Sequence, residues 1–256
     1  MVKRIIFLKE PSRPGAFHMA RDYHLLKKMD DGSKNSGYFT LYRFSPTCLS
    51  LGRFQKLQPA LERKCLQLGI DIVRRPTGGK AVLHGQHEIT YSLVLPAAFG
   101  FKPGQVLSTY QKLKPVFLQV LATLGIKPDA EHTTFLEKTE IRDLCFASIQ
   151  APDVTVNGKK VFGNALLWGK NAFLIHGSLC LEFPERELTA LYSRSLALKL
   201  KERSFCLSQA RPLPDFEELE EAFRKALLNE GYTITEAYLD QKTLKEIQKL
   251  ASTFAL

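Results

Sequence analysis

The sequence predicts an α+β protein. Strand-like and helix-like stretches alternate irregularly, without the strict βαβ repeat of a parallel α/β fold. Of the 256 residues, 45% are apolar, enough to bury a substantial core. Asn157-Gly158 stands between the short apolar runs Val154 to Val156 and Val161 to Phe162, the strongest short-range signal for an antiparallel hairpin. The length favours one main domain, expected over 1–212, with a C-terminal helical appendage over 213–256 packed on it.

Along the chain, Ala16, Met19, Ala20, Tyr23 and Leu26 recur at helical spacing and predict an amphipathic helix over residues 15 to 29. The polar loop Asp30 to Gly37 ends it. Tyr38 to Phe44 reads as a strand, Pro59 to Leu68 as a helix and Ile70 to Val73 as a short strand. Glu88 to Leu95 alternates as a strand, and Val106 to Leu124 is a long helix burying Val106, Tyr110, Leu113, Phe117, Val120, Leu121 and Leu124. Beyond the hairpin, Phe173 to Leu181 is a further strand. After Pro212 and Pro214, Phe216 to Leu228 and Leu239 to Leu250 form two helices around Gly231. There is no internal repeat and no low-complexity tract.

Composition narrows the function classes. Ordinary Gly and Pro content excludes collagen and disorder, and no apolar run approaches the roughly 20 residues of a membrane helix. Ile5 to Leu8 is too short for a leader's apolar core of about 7 to 15 residues. Cys48, Cys65, Cys145, Cys180 and Cys206 are odd in number, widely spaced and without a C-x-x-C pair. That argues against a disulfide framework or metal site and for a reducing cytoplasm. Lys and Arg exceed Asp and Glu by 36 − 26 = 10, which suits acidic partners. The cations are scattered and no nucleic-acid signature occurs, so nucleic acid is not expected.

The most distinctive segment runs from Arg74 to His84 and contains Thr77-Gly78-Gly79 between two predicted strands. A nucleotide P-loop opens a helix and needs Gly-Lys-Ser/Thr, so another anion or a carbonyl is implied. Paired glycines let backbone N–H groups approach a ligand, and Arg75 offers a fork to a carboxylate or phosphate. Taken alone, the Gly-Gly pair reads more readily as a tight hairpin turn.

With its flanks, Arg75-x-Thr77-Gly78-Gly79-x-Ala81-Val82-x-His84 followed by Glu88-x-Thr90-Tyr91-Ser92 resembles the signature loop of the lipoate-protein ligase and octanoyl/lipoyl transferase family, relatives of the biotin-protein ligases. Gly15 to Leu26 with Met19-Ala20-x-Asp22 is similar to the family's first helix. Leu49 to Gln55 is similar to its next strand and turn, Gly158-Lys159-Lys160-Val161-x-Gly163-x-Ala165 to its lysine motif, and His176 to Leu179 to the strand that follows. The resemblance spans roughly residues 15 to 182, in order. It implies a mixed β-sheet flanked by helices, and a binding site made of Arg75, Thr77, Gly78, Gly79, Lys80, Ala81, His84, Gly163 and Ala165. His176 reads as readily as a packing residue.

Cys145, followed by Phe146 and fifteen residues before Lys160, resembles the acyl-carrying cysteine of the octanoyltransferase branch. The resemblance implies Cys145 and Lys160 as catalytic residues. The other four cysteines are read as buried and inert. The implied reaction takes an octanoyl or lipoyl group from an acyl carrier protein to a lysine of a lipoyl domain or glycine cleavage H protein. It implies a monomer that uses no metal or other cofactor. Two alternatives stand beside it: a lipoate-protein ligase using ATP and magnesium, and a non-catalytic carrier-binding relative. The chain makes two departures from the family pattern: Gly163-Asn164-Ala165-Leu166 stands in place of Gly-Ser-Ala-Gln, and a following arginine is missing near Trp168.

Overall fold

The computed structural model describes residues 2–32, 35–130, 144 and 153–256. Cys145 therefore lies outside the described residues. Among the described residues, ten strands are arranged in two sheets. The larger has seven: β1 (Lys3–Leu8), β2 (Ser36–Tyr42), β6 (Glu88–Pro96), β7 (Val154–Val156), β8 (Lys159–Trp168), β9 (Ala172–Cys180) and β10 (Tyr232–Ala237), in the order β10-β1-β2-β6-β9-β8-β7. β1 runs parallel to both β10 and β2, and every other pairing is antiparallel. The sheet is thus mixed, as expected. The smaller sheet, β4-β3-β5, comprises β3 (Cys48–Leu51), β4 (Asp71–Arg74) and β5 (Val82–His84).

Both faces of the large sheet are covered, so every residue of β6 and of β9 is buried. One face carries Ile89, Tyr91, Leu93 and Leu95 of β6 into the main core, closed by α3 (Val106–Thr123) and α6 (Phe216–Asn229) through Phe117, Val120 and Phe223. The alternate residues Thr90, Ser92 and Val94 face the other way. There α1 (Gly15–Asp30) sets Leu25, Leu26 and Met29 against Val94 and Leu174. Buried Thr90, Ser92 and Ser178 on this second face are out of keeping with an apolar core, and they mark where the site lies.

The chain ends are tied into this frame. Residues 213–256, read from sequence as a helical appendage, contribute α6, α7 (Gln241–Ala251) and the edge strand β10. Asp215 caps α6 by accepting from Glu218 N at 2.8 Å, and Asp240 caps α7 by accepting from Thr243 N at 2.7 Å. The last residues run along β4, with Arg74 N donating to Phe254 O at 2.9 Å and Leu256 N to Ile72 O at 3.0 Å.

Two further helices, α4 (Glu185–Leu191) and α5 (Arg194–Arg203), occupy a stretch for which no element was expected. They form a detour that brings the chain back beside β9, where Ser208 N donates to Leu181 O. Cys180 and Cys206 meet there in a disulfide, with Cα atoms 4.7 Å apart. This corrects the expectation of unpaired thiols, because the contact comes from the helical detour and not from any sequence spacing. Cys48 and Cys65 are buried free thiols, as read. Burial raises both, Cys65 to about 11. Among the described residues no helix is long and apolar enough to cross a membrane.

Candidate active site between the two sheets

The Gly-Gly loop joins β4 to β5 and closes over the second face of the large sheet. Its shape requires glycine at two contacts. Gly79 has φ +87°, and a Cβ on Gly52 would lie 1.9 Å from Gly79 O, so no side chain fits where the turn after β3 meets the loop. Arg75, expected to fork a ligand, spends its donors on the protein. Nε and Nη2 donate to Gly78 O (3.1 and 2.8 Å), Nη2 also to Lys80 O (2.6 Å), and Nη1 to Ser50 O and Oγ (3.0 and 3.2 Å). The guanidinium acts as the internal brace of the loop.

Beneath the loop lies a small cavity whose lining includes Met19, Phe44, Ser50, His84, Ala165 and His176. Arg75 and Gly163 also reach it. The register explains the arrangement: Gly163 and Ala165 of β8 sit opposite Ser178 and His176 of β9. A Cβ on Gly79 would come 4.0 Å from Ala165 Cβ. Four of the expected residues, Arg75, His84, Gly163 and Ala165, thus share one wall, and Thr77 joins them through His176.

Two histidine relays run behind this wall. Thr77 Oγ1 is 2.6 Å from His176 Nε2, and His176 Nδ1 is 3.3 Å from Asp22 Oδ2. Ser50 Oγ is 2.7 Å from His84 Nε2, and His84 Nδ1 is 2.6 Å from Glu88 Oε1, which also accepts from Thr90 at 2.7 Å. Burial alone would raise both carboxyls. Arg21, in contact with Asp22 (Nη2 to Oδ1, 2.7 Å), and His176 together outweigh burial and hold Asp22 at about 2, while His84 holds Glu88 below its usual value. Both carboxylates stay ionised and fix the ring orientations.

Asp22, Glu88 and Ser50 entered the sequence reading only as motif letters. The available signals were a carboxylate four residues after His84 and an Asp inside the apolar spacing of α1.

Lys160 reaches its place by a β-bulge. Val154 pairs with Phe162 and Thr155 with Lys160, leaving Val161 without an opposite residue. Val161 and Phe162 consequently both enter the main core, and Lys160 returns to the face of Thr155. Its ammonium is buried and ion-paired to Asp153 at 2.9 Å, a partner the sequence did not suggest. The hairpin behind it has positive φ at Asn157 (53°) and Gly158 (71°), as a type I′ turn requires. Ala81 lines a second cavity with Leu83, Leu144, Leu188 and Leu200. Leu144 is bridged to Ala81 and is the chain neighbour of Cys145. Lys80 is half-buried, Gly78 is half-buried and Gly79 is exposed.

The buried histidines predict an acid sensitivity. Burial, then Arg21, pushes His18 well below 6.5, and burial lowers His176 despite Asp22. Below about pH 6.5 the unfolded chain takes up protons that these rings refuse, so stability falls with pH by about 1.4 kcal/mol per unit for each ring. Urea midpoints should be lower at pH 5 than at pH 7.5, and His18→Gln should flatten the dependence. An unchanged slope in that variant would contradict the assignment.

The chain has counterparts among known proteins. The family model described as the lipoyl protein ligase A/B catalytic domain matches residues 14–227. A protein named Octanoyltransferase LipM from Carboxydothermus hydrogenoformans is 32% identical over 89% of this chain and 86% of its own length. Its namesake from Clostridioides difficile is 32% identical over 75% of this chain and 71% of its own. Among solved structures, a bi-partite lipoate protein ligase from Thermoplasma acidophilum superposes with a TM-score of 0.76 at 18% identity, covering 98% of this chain and 92% of that one. Lipoate-protein ligase A bound with ATP gives 0.74 at 19% identity, over 98% and 95%. At that identity the superpositions establish the fold, and with the matched residues they lead to one assignment: the chain belongs to the lipoyl protein ligase A/B catalytic domain family.

Proposed function

We propose that this protein is a cysteine-dependent acyltransferase. It moves an octanoyl or lipoyl group from a carrier-protein thioester to a lysine of a lipoyl domain or glycine cleavage H protein. The observation that carries the reading is the cavity beneath the Gly-Gly loop, in a chain whose relatives at 32% identity are named octanoyltransferases. Met19, Phe44, Val82 and Ala165 supply apolar wall for an acyl chain.

In the proposed reaction the Cys145 thiolate attacks the thioester carbonyl and expels the carrier thiolate, leaving acyl-Cys145. The acceptor amine then attacks that thioester, loses a proton and releases the Cys145 thiolate. Backbone N–H groups at Gly78, Gly79 and Gly163 are the proposed donors to the tetrahedral oxyanion. A thioester is already activated toward an amine, so no nucleotide, metal or other cofactor takes part. The proposed setting is a monomer in the cytoplasm. The test is intact-mass analysis after incubation with octanoyl carrier protein alone, which should show a hydroxylamine-sensitive octanoyl adduct.

Lys160 is assigned the task of stabilising the thiolate. A free cysteine has a pKa of about 8.5 and only a few per cent thiolate at neutral pH. Asp153 holds the Lys160 side chain at its post. Lys160→Ala should raise the pH midpoint of Cys145 alkylation by about a unit or more, the effect of a cation within about 4 to 6 Å. Equal midpoints in the two proteins would remove Lys160 from this role.

A further inference from the structure

The turn that follows β3 holds an aromatic side chain that the reaction does not use. Phe54 is 86% exposed, the most exposed large hydrophobic among the described residues. A single exposed apolar side chain is ordinary on a protein surface, but this one is fixed and placed. Gln55 N donates to Gly52 O at 2.9 Å, Arg53 N to Thr77 O at 2.9 Å, and Arg74 Nη1 to Gly52 O at 3.2 Å. Gly52 meets Gly79 O, and Gly79 in turn approaches Ala165 of the cavity wall. Phe54 therefore stands on a rigid turn at the lip of the site. Its flanks are basic: the Arg53 guanidinium lies 5.5 Å from the Phe54 ring centroid, Arg53 and Lys56 are exposed, and residues 52 to 58 contain no carboxylate.

We propose that Phe54, with Arg53 and Lys56, is the docking surface for the acceptor domain, an acidic domain that presents its lysine beside an apolar recess. The inference rests on the transferase reading. It selects the acceptor over the donor by reach. A lysine amine extends only about 6 Å from its Cα at ordinary bond lengths, so the acceptor backbone must lie on the lip for its amine to enter. A carrier protein delivers its thioester on a long flexible arm and can remain further out. Aromatic residues and arginine are both enriched at protein interfaces, so a fixed aromatic beside an arginine suits a docking surface. The net charge of +10 complements an acidic partner and steers the encounter.

The test measures binding of an unmodified lipoyl domain, which needs no acyl chemistry. Phe54→Ser should raise Kd about tenfold or more, and Arg53→Glu with Lys56→Glu should do the same while flattening the loss of affinity with salt. Formation of acyl-enzyme from octanoyl carrier protein should stay within about twofold of wild type, because a surface residue that positions the acceptor leaves the donor half-reaction alone. Unchanged Kd in Phe54→Ser overturns the proposal. So does an equal slowing of acyl-enzyme formation with a small octanoyl thioester, which would make Phe54 a support of the loop. If the wild type binds the domain and Phe54→Ser does not, yet neither forms an acyl-enzyme, the docking surface stands and the cysteine mechanism fails.

Discussion

Cys145→Ser is expected to abolish octanoyl transfer, lowering kcat/KM by more than about 10³-fold while leaving the melting temperature close to that of wild type. A serine hydroxyl without a strong base stays protonated, and a neighbouring ammonium that stabilises a thiolate cannot make an alkoxide at neutral pH. The measurement is transfer from octanoyl carrier protein to a lipoyl domain without ATP or magnesium, scored by intact mass of enzyme and acceptor. Wild type should pass through the hydroxylamine-sensitive adduct, and the serine variant should show neither adduct nor product. A ligase would behave in the opposite way, requiring ATP, free acid and magnesium and proceeding unimpeded in Cys145→Ser. That outcome would overturn the transferase reading.

What was legible in the sequence was mostly local. The I′ turn at Asn157-Gly158 and the helices α1, α3, α6 and α7 follow from neighbouring residues, whose backbone preferences and apolar spacing act over a few turns. The strand β8 was read only as Val161 to Phe162, because its outer half, Asn164 to Trp168, is half-buried and lacks clear alternation. β1 and β10 went unread although Tyr232-Thr233-Ile234-Thr235 alternates with β-branched residues. Their parallel pairing joins Lys3 to Tyr232, a contact that no local pattern encodes.

The site divides in the same way. The Gly-Gly loop was visible through its flanks, since the glycine pair by itself reads as a tight turn. Arg75 was visible too, but its task was not, since a guanidinium that braces carbonyls and one that binds a ligand look identical in sequence. Asp22, Glu88, Ser50 and Asp153 acquire meaning only from the residues they touch across the fold.

The second large effect concerns Arg21, which is fully buried and pairs with two carboxylates, Glu10 and Asp22, while its guanidinium lies 4.2 Å from the Tyr42 ring centroid. Arg21→Met keeps much of the volume but leaves those two carboxylates without their cation, and removing one partner of a buried ion pair costs about 3 to 5 kcal/mol. The urea midpoint at pH 7.5 should fall accordingly, and adding Asp22→Asn should recover part of the loss by removing one stranded charge. Wild type has the opposite security. Because the Asp22 pKa is depressed to about 2, its stabilising contribution is present above the unfolded carboxyl value and is lost only as pH falls toward 2. In Arg21→Met the folded Asp22 pKa should rise, since burial then acts without its counterweight, and the loss should move to higher pH. Asp22 also orients His176, and through it Thr77, so the variant should loosen the Gly-Gly loop before the chain unfolds, seen as faster amide exchange at Gly78 and Gly79. A destabilisation below about 1 kcal/mol, with exchange at the loop unchanged, would show that the arginine is not what holds the two carboxylates in the core.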